Sequence, residues 1–172
     1  MALVGGLITF AAISSCKANP PVTIIPPVPV EPDPQAETVE VVIGGRAFNL
    51  ELALNDAQRY QGLSDRKSIA EDGGMVFAFR YPQELGFVMR RCYVPIDILY
   101  LDDQGRVVST YAMQVIEPVG GFRWQNPATS PYPSNGLAQF AVEVRGGLVE
   151  ALGVEVGDQV QLPLKELKAR AQ

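Results

Sequence analysis

Asp97 stands in the run Val94-Pro95-Ile96-Asp97-Ile98-Leu99-Tyr100-Leu101, and the period-two alternation of a strand puts its carboxylate on the same face as Leu99 and Leu101. A carboxylate among apolar neighbours is costly unless it is paired. Arg90 or Arg91, expected on a neighbouring strand, can supply a two-pronged guanidinium partner. Together with Met89 and with Trp124 from a long loop, these residues define a candidate pocket for a small polar or anionic ligand. The competing arrangement has Asp97 accept backbone N–H bonds where the Pro95 turn enters the strand.

Other chemistry is sparser. Glu143 in Gln139-Phe140-Ala141-Val142-Glu143-Val144 alternates out of register with Phe140, Val142 and Val144 and is expected to face solvent. Were it to meet Asp97, the two carboxylates would make an acid–base pair of the kind that hydrolyses glycosidic bonds. Cys92 follows two arginines that can lower a thiol pKa, although a small, semi-buried core role suits a lone thiol as well. Asp72 and Asp158 sit beside glycines and read as turn residues. The chain has no histidine, which removes Ser-His-Asp and Cys-His mechanisms and the commonest metal ligand. No metal site or cofactor is expected.

The elements that would position these residues are mostly strands. Thr38–Ile43 and Arg46–Leu54 flank Gly44-Gly45 and read as a hairpin. Asn55 with Gln58 reads as a capping box opening a helix over about 56–61, stopped by Gly62. Strand-like runs follow at 75–79, 85–89, 96–101, 106–113 and 137–144, and Asp102-Asp103-Gln104-Gly105 is a turn signal. Residues 148–152 form a short helix between glycines, and Val156–Leu162 closes the domain with a turn and a last strand. The pattern predicts a mostly β (β-rich α+β) fold, a compact antiparallel barrel or sandwich with two short helices. Residues 117–135 hold Trp124, glycines and prolines and read as a long functional loop.

With 47% hydrophobic and 19% charged residues in 172, the chain has material for one core and no room for a second domain. A net charge of −5 without a basic run excludes a nucleic-acid surface. Residues 2–13 are uncharged and apolar, too short to span a bilayer, and Ser14-Ser15 precede Cys16. That order resembles a bacterial lipoprotein signal with Cys16 as the lipidated residue, although no Lys or Arg precedes Lys17. Residues 17–37 hold seven prolines between Pro20 and Pro34 and read as an extended spacer. The domain is expected over 38–164, with a charged tail at 165–172.

The blocks Gly62-Leu63-Ser64-Asp65-Arg66, Asp72–Phe79, Phe87-Val88-Met89, Val94–Val108 and Tyr132–Gly147 followed by Leu152–Val160 resemble, in that order, domain-of-unknown-function family 192, an uncharacterised family of bacteria and archaea. The resemblance implies a compact β-rich fold, frequent export and no established activity. The family usually carries Phe-Trp-Met-Lys-Asn-Thr before Pro-Leu-Asp, whereas Phe87-Val88-Met89-Arg90-Arg91-Cys92 precedes Pro95-Ile96-Asp97 here. The expected protein is exported and lipid-anchored, at the outer face of the cytoplasmic membrane or in the outer membrane and periplasm. Its expected role is a ligand-binding or accessory module, with a structural envelope role or an Asp97-based hydrolase as alternatives.

Overall fold

A computed structural model describes residues 36–115 and 132–172. Strands β1 (Thr38–Ile43) and β2 (Arg46–Ala53) form the antiparallel hairpin that the glycine pair predicts. Gly44 and Gly45 have φ of 56° and 80°, the two positive values that a tight primed hairpin turn requires. Helix α1 (Asp56–Gln61) opens on Asn55, whose side chain accepts from the Gln58 N–H at 3.0 Å while Gln58 Oε1 accepts from the Asn55 N–H at 3.3 Å. That is the capping box.

The remaining strands are β3 (Gly74–Phe87), β4 (Ile96–Leu101), β5 (Val107–Met113) and β6 (Tyr132–Arg145). The runs 75–79 and 85–89 are not two strands. Residues 74–87 form one long strand whose pairing with β6 shifts register between Ala78 and Gln83, and Met89 lies beyond its end. The six strands lie in the order β1-β2-β3-β6-β4-β5.

Mostly β is therefore the architecture, but the sheet is mixed and is not closed into a barrel. The connection through α1 returns the chain to the end where β2 began, so β2 and β3 pair in parallel, as a crossover rather than a hairpin demands. In place of a last strand, residues 157–161 make isolated bridges. Gln161 pairs with Val42 of β1 and Gln159 with Arg106 at the start of β5. Val107 N–H donates to Asp158 O at 2.9 Å and Gly157 N–H to Val107 O at 2.8 Å. One irregular segment thus covers part of both sheet edges.

Three helices are present among the described residues, not two. The third after α1 and α2 (Leu148–Ala151) is α3 (Leu164–Arg170), which occupies the segment expected to be a solvent-facing tail. Its Leu167 is 0% exposed and packs with Leu50, Val76 and Phe140 in the core on one face of the sheet. Charges cover the outward side of α3, where Arg170 pairs with Glu37 and Glu166.

The opposite face carries a second core of Met75, Phe77, Ile98, Tyr100 and Ala141, covered by Leu63, Ile69 and Met89 from two loops. Strands β4 and the middle of β6 are therefore buried on both faces. Truncating Leu167 to Ala is expected to lower unfolding stability by about 2–5 kcal/mol, read as a lower urea midpoint with unchanged slope. A midpoint equal to wild type would mean that α3 is not part of the core.

Candidate functional site

The pleat decides which carboxylates can meet. In the β4–β6 ladder Asp97 lies opposite Val144 and Ile98 opposite Glu143, and directly opposed residues project to the same face. Asp97 therefore faces the core that holds Val144, whereas Glu143 faces the other with Ile98 and with Met75, its opposite number on β3. The Asp97–Glu143 pair does not form.

Nor does an Arg90 or Arg91 pair with Asp97. Asp97 is 2% exposed, and its Oδ2 accepts from the Val149 N–H at 2.8 Å, in the first turn of α2. The N-cap of α2, Gly147, makes no side-chain cap bond of its own, so Asp97 supplies one from a neighbouring strand. The donor is thus α2 rather than the Pro95 turn. Asp97 Oδ1 has no partner among the described residues. Arg90 lies over the Tyr60 ring, 3.8 Å from its centroid, and donates to the Tyr60 carbonyl. Met89 is buried in the second core. Trp124 and Cys16 lie outside the described residues.

Glu143 overturns the expectation of solvent. It is 5% exposed, because β6 runs between β3 and β4 and loops cover its outer face. Burial pushes its carboxyl up to about 8, against the opposing pull of the Arg66 guanidinium.

Around Glu143 two loops are stitched together. Asp65 and Arg91 both take left-handed backbone conformations, with φ of 67° and 52°, which non-glycine residues seldom adopt without support from their surroundings. The support is visible here. The Asp65 N–H donates to Arg91 O at 2.8 Å, and Asp65 Oδ2 forms an ion pair with the Arg91 guanidinium. Asp65 Oδ1 and Arg91 Nε, the remaining prongs of that pair, are buried without partners among the described residues. Arg66 beside it makes a two-pronged pair with Glu51 of β2, through Nη1 to Oε1 and through Nη2 to Oε2 at 2.7 Å.

Cys92 completes the cluster without becoming a nucleophile. Burial, then the charges of Glu143 and Asp65, push its thiol up to about 12, and Arg90 only partly opposes them. The arginine-activated thiol is thus corrected to a protonated one that donates weakly to Arg90 O at 3.6 Å. Burial also raises the Tyr100 phenol, whose hydroxyl donates to Tyr132 O at 2.6 Å. A cavity of about 710 Å³ lies alongside, lined by Glu51, Gln58, Gln61, Arg66, Met75 and Arg170 among others. Among the described residues no group of three or more His, Cys, Asp or Glu side chains could hold a metal ion.

The cluster draws on three of the sequence blocks that carry the resemblance, Asp65 and Arg66 from the first, Met75 from the second and Glu143 from the last, and Arg91 and Cys92 lie between blocks. Over residues 39–162 the chain matches the DUF192 family, described as uncharacterised ACR proteins. The chain belongs to that family. Among curated proteins none matches it. A crystal structure from Sinorhizobium meliloti 1021, of a protein described as a candidate transcription regulator, shares 25% identity at a TM-score of 0.61, covering 75% of this chain and 96% of its own. A protein of unknown function from Novosphingobium aromaticivorans DSM 12444 shares 27% identity at the same TM-score, covering 77% and 90%.

Asp65, Arg66, Glu51 and Glu143 were not legible as a site from residue spacing. The available signal was Glu143 itself, a charge inside the apolar run 140–144, since a strand buried on both faces reads as a continuous hydrophobic run.

The raised carboxyl has a stability consequence. Below about pH 4.5 both folded and unfolded states hold the proton. Between 4.5 and about 8 only the unfolded state ionises, so this group's contribution falls as pH rises through that window. Glu143→Gln removes the dependence. Its stability advantage over wild type should grow from nothing near the lower bound to on the order of 3–5 kcal/mol above the upper one; a pH-independent difference in melting temperature would refute a buried Glu143. In a Cys16→Ser background, Cys92 should react with a thiol-specific disulfide reagent near neutral pH far more slowly than free cysteine. A rate matching free cysteine would show an accessible thiolate.

Proposed function

We propose that this DUF192 domain is an extracytoplasmic ligand-binding or accessory module. A lipid on Cys16 tethers it to the envelope, and the proline-rich segment holds it off the membrane. The observation that carries the binding reading is Glu143, a carboxyl buried in the middle of β6 and pushed up to about 8 by that burial, at the point where three family blocks converge. A carboxyl shifted by burial beside paired charges is a functional-site candidate.

The candidate binding residue therefore moves from Asp97 to Glu143. Asp97 fits a structural role, because its carboxylate caps α2. The hydrolase alternative needs a second carboxylate beside Asp97, and Glu143 faces the other core. A structural role would favour a broad exposed apolar patch; the large exposed apolar side chains among the described residues are Tyr60, Tyr81, Tyr93, Leu137 and Val156, drawn from separate segments. The net charge of −5 gives no support to transferring the regulator description of the Sinorhizobium protein.

Two measurements test this reading. Cells fed a clickable palmitate should label the protein in the membrane fraction, and Cys16→Ser should abolish the label; an unlabelled wild-type protein contradicts the tether. Thermal-shift screening with sugars, peptidoglycan fragments and small anions should find a ligand whose shift is lost in Glu143→Gln. No shift with any of them, and no co-purifying partner, contradicts the binding role.

A further inference from the structure

The cavity of about 710 Å³ beside β2 falls in the size range of small-molecule sites, and its wall has a definite chemistry. Leu52, Leu54 and Met75 are its buried, apolar part. Its charged side chains are Glu37, Glu51, Arg66 and Arg170, two of each sign. They are already matched, Arg66 with Glu51 and Arg170 with Glu37. The Glu51–Arg66 pair is recessed, with side chains only 15% and 12% exposed. Pulling one partner out of a two-pronged pair at that depth is costly, so a charged ligand would compete with bonds already made.

Three amide side chains in the same wall are held in fixed directions. Asn55 Oδ1 accepts from the Gln58 N–H at 3.0 Å, Gln58 Oε1 accepts from the Leu54 N–H at 2.9 Å, and Gln61 Nε2 donates to Ser64 O at 3.2 Å. An amide has a donor end and an acceptor end. The opposite ends, Asn55 Nδ2, Gln58 Nε2 and Gln61 Oε1, have no partner among the described residues. The Glu51–Arg66 pair likewise leaves further guanidinium N–H groups and carboxylate lone pairs unused.

A ligand that fits this wall is uncharged, donates and accepts at neighbouring atoms, and has a carbon face for Leu52, Leu54 and Met75. Adjacent hydroxyl groups on a ring meet all three conditions. Each O–H donates to a carboxylate or amide oxygen, its oxygen accepts from a guanidinium or amide N–H, and the ring C–H groups cover the apolar wall. We propose that this cavity binds a neutral polyhydroxylated ligand of the sugar class, with both ion pairs left intact. Glu143 does not line the cavity, so the site goes beyond the Glu143 reading and stands without it.

The test is isothermal titration of the full chain with glucose, N-acetylglucosamine, cellobiose and trehalose. At least one should bind saturably, with a Kd in the millimolar range or tighter. That Kd should be unchanged by salt and between about pH 5 and 8, because the ligand has no charge to screen or titrate. Gln61→Ala removes one acceptor and should weaken binding about threefold to tenfold. Ala169 lines the cavity from α3 and is exposed; Ala169→Trp fills the space without removing a polar group and should abolish binding while circular dichroism stays that of wild type. Glu143→Gln should bind as wild type does.

The proposal is overturned by the absence of saturable heat with all four sugars at roughly 20 mM, by binding that Ala169→Trp leaves unchanged, or by a preference for alanyl-alanine, a zwitterion, over every sugar. Binding lost in Glu143→Gln and kept in Ala169→Trp upholds the Glu143 reading and removes the cavity site; the reverse pattern upholds the cavity and counts against Glu143. If Ala169→Trp does not fold, Gln61→Ala, at an exposed position, decides, and unaltered affinity in that variant overturns the proposal.

Discussion

The position of β6 between β3 and β4 is the constraint on which the rest depends. A strand paired on both sides, with a core above and another below, exposes almost nothing along its middle, so Glu143 is buried because of where β6 sits and not because of its own chemistry. The closeness of the pairing is visible at Gly74, where a Cβ would lie 2.1 Å from the Glu143 carbonyl oxygen. Glycine is required there for β3 to begin alongside β6. The same pleat sends Asp97 to the opposite core, where it caps a helix. Two carboxylates close in the sheet thus have unrelated environments.

Burial also settles the electrostatics of the cluster. Cys92 follows two arginines in sequence, yet one of them pairs with Asp65 and the other with a carbonyl and an aromatic ring. Neither is left to favour a thiolate, and desolvation dominates. Each guanidinium in this region has a partner within the protein. Asp65 is the residue that compensates the charge at Arg91.

The parts of this architecture that were legible in the sequence are those set by local signals. The Gly44-Gly45 turn, the Asn55–Gln58 capping box, the strand 96–101 and the short helix between Gly147 and Gly153 each depend on residues a few positions apart. What was not legible depends on distant pairing. The parallel contact of β2 with β3 follows from a crossover, and α3 hides behind a charged sequence with one critical apolar residue, Leu167. The burial of Glu143 needed the strand order, because alternation alone assumes one wet face. The Asp65–Arg91 stitch joins residues with unusual backbone conformations that no propensity foretells.

The central claim is that Glu143 is buried as an uncharged acid at neutral pH beside paired neighbours. Its side-chain carboxyl carbon can be followed by carbon-13 NMR across a pH titration, with assignment from the Glu143→Gln spectrum. A midpoint near 8 is the predicted result; a midpoint near 4.5, the value of a solvated glutamate, would contradict the account.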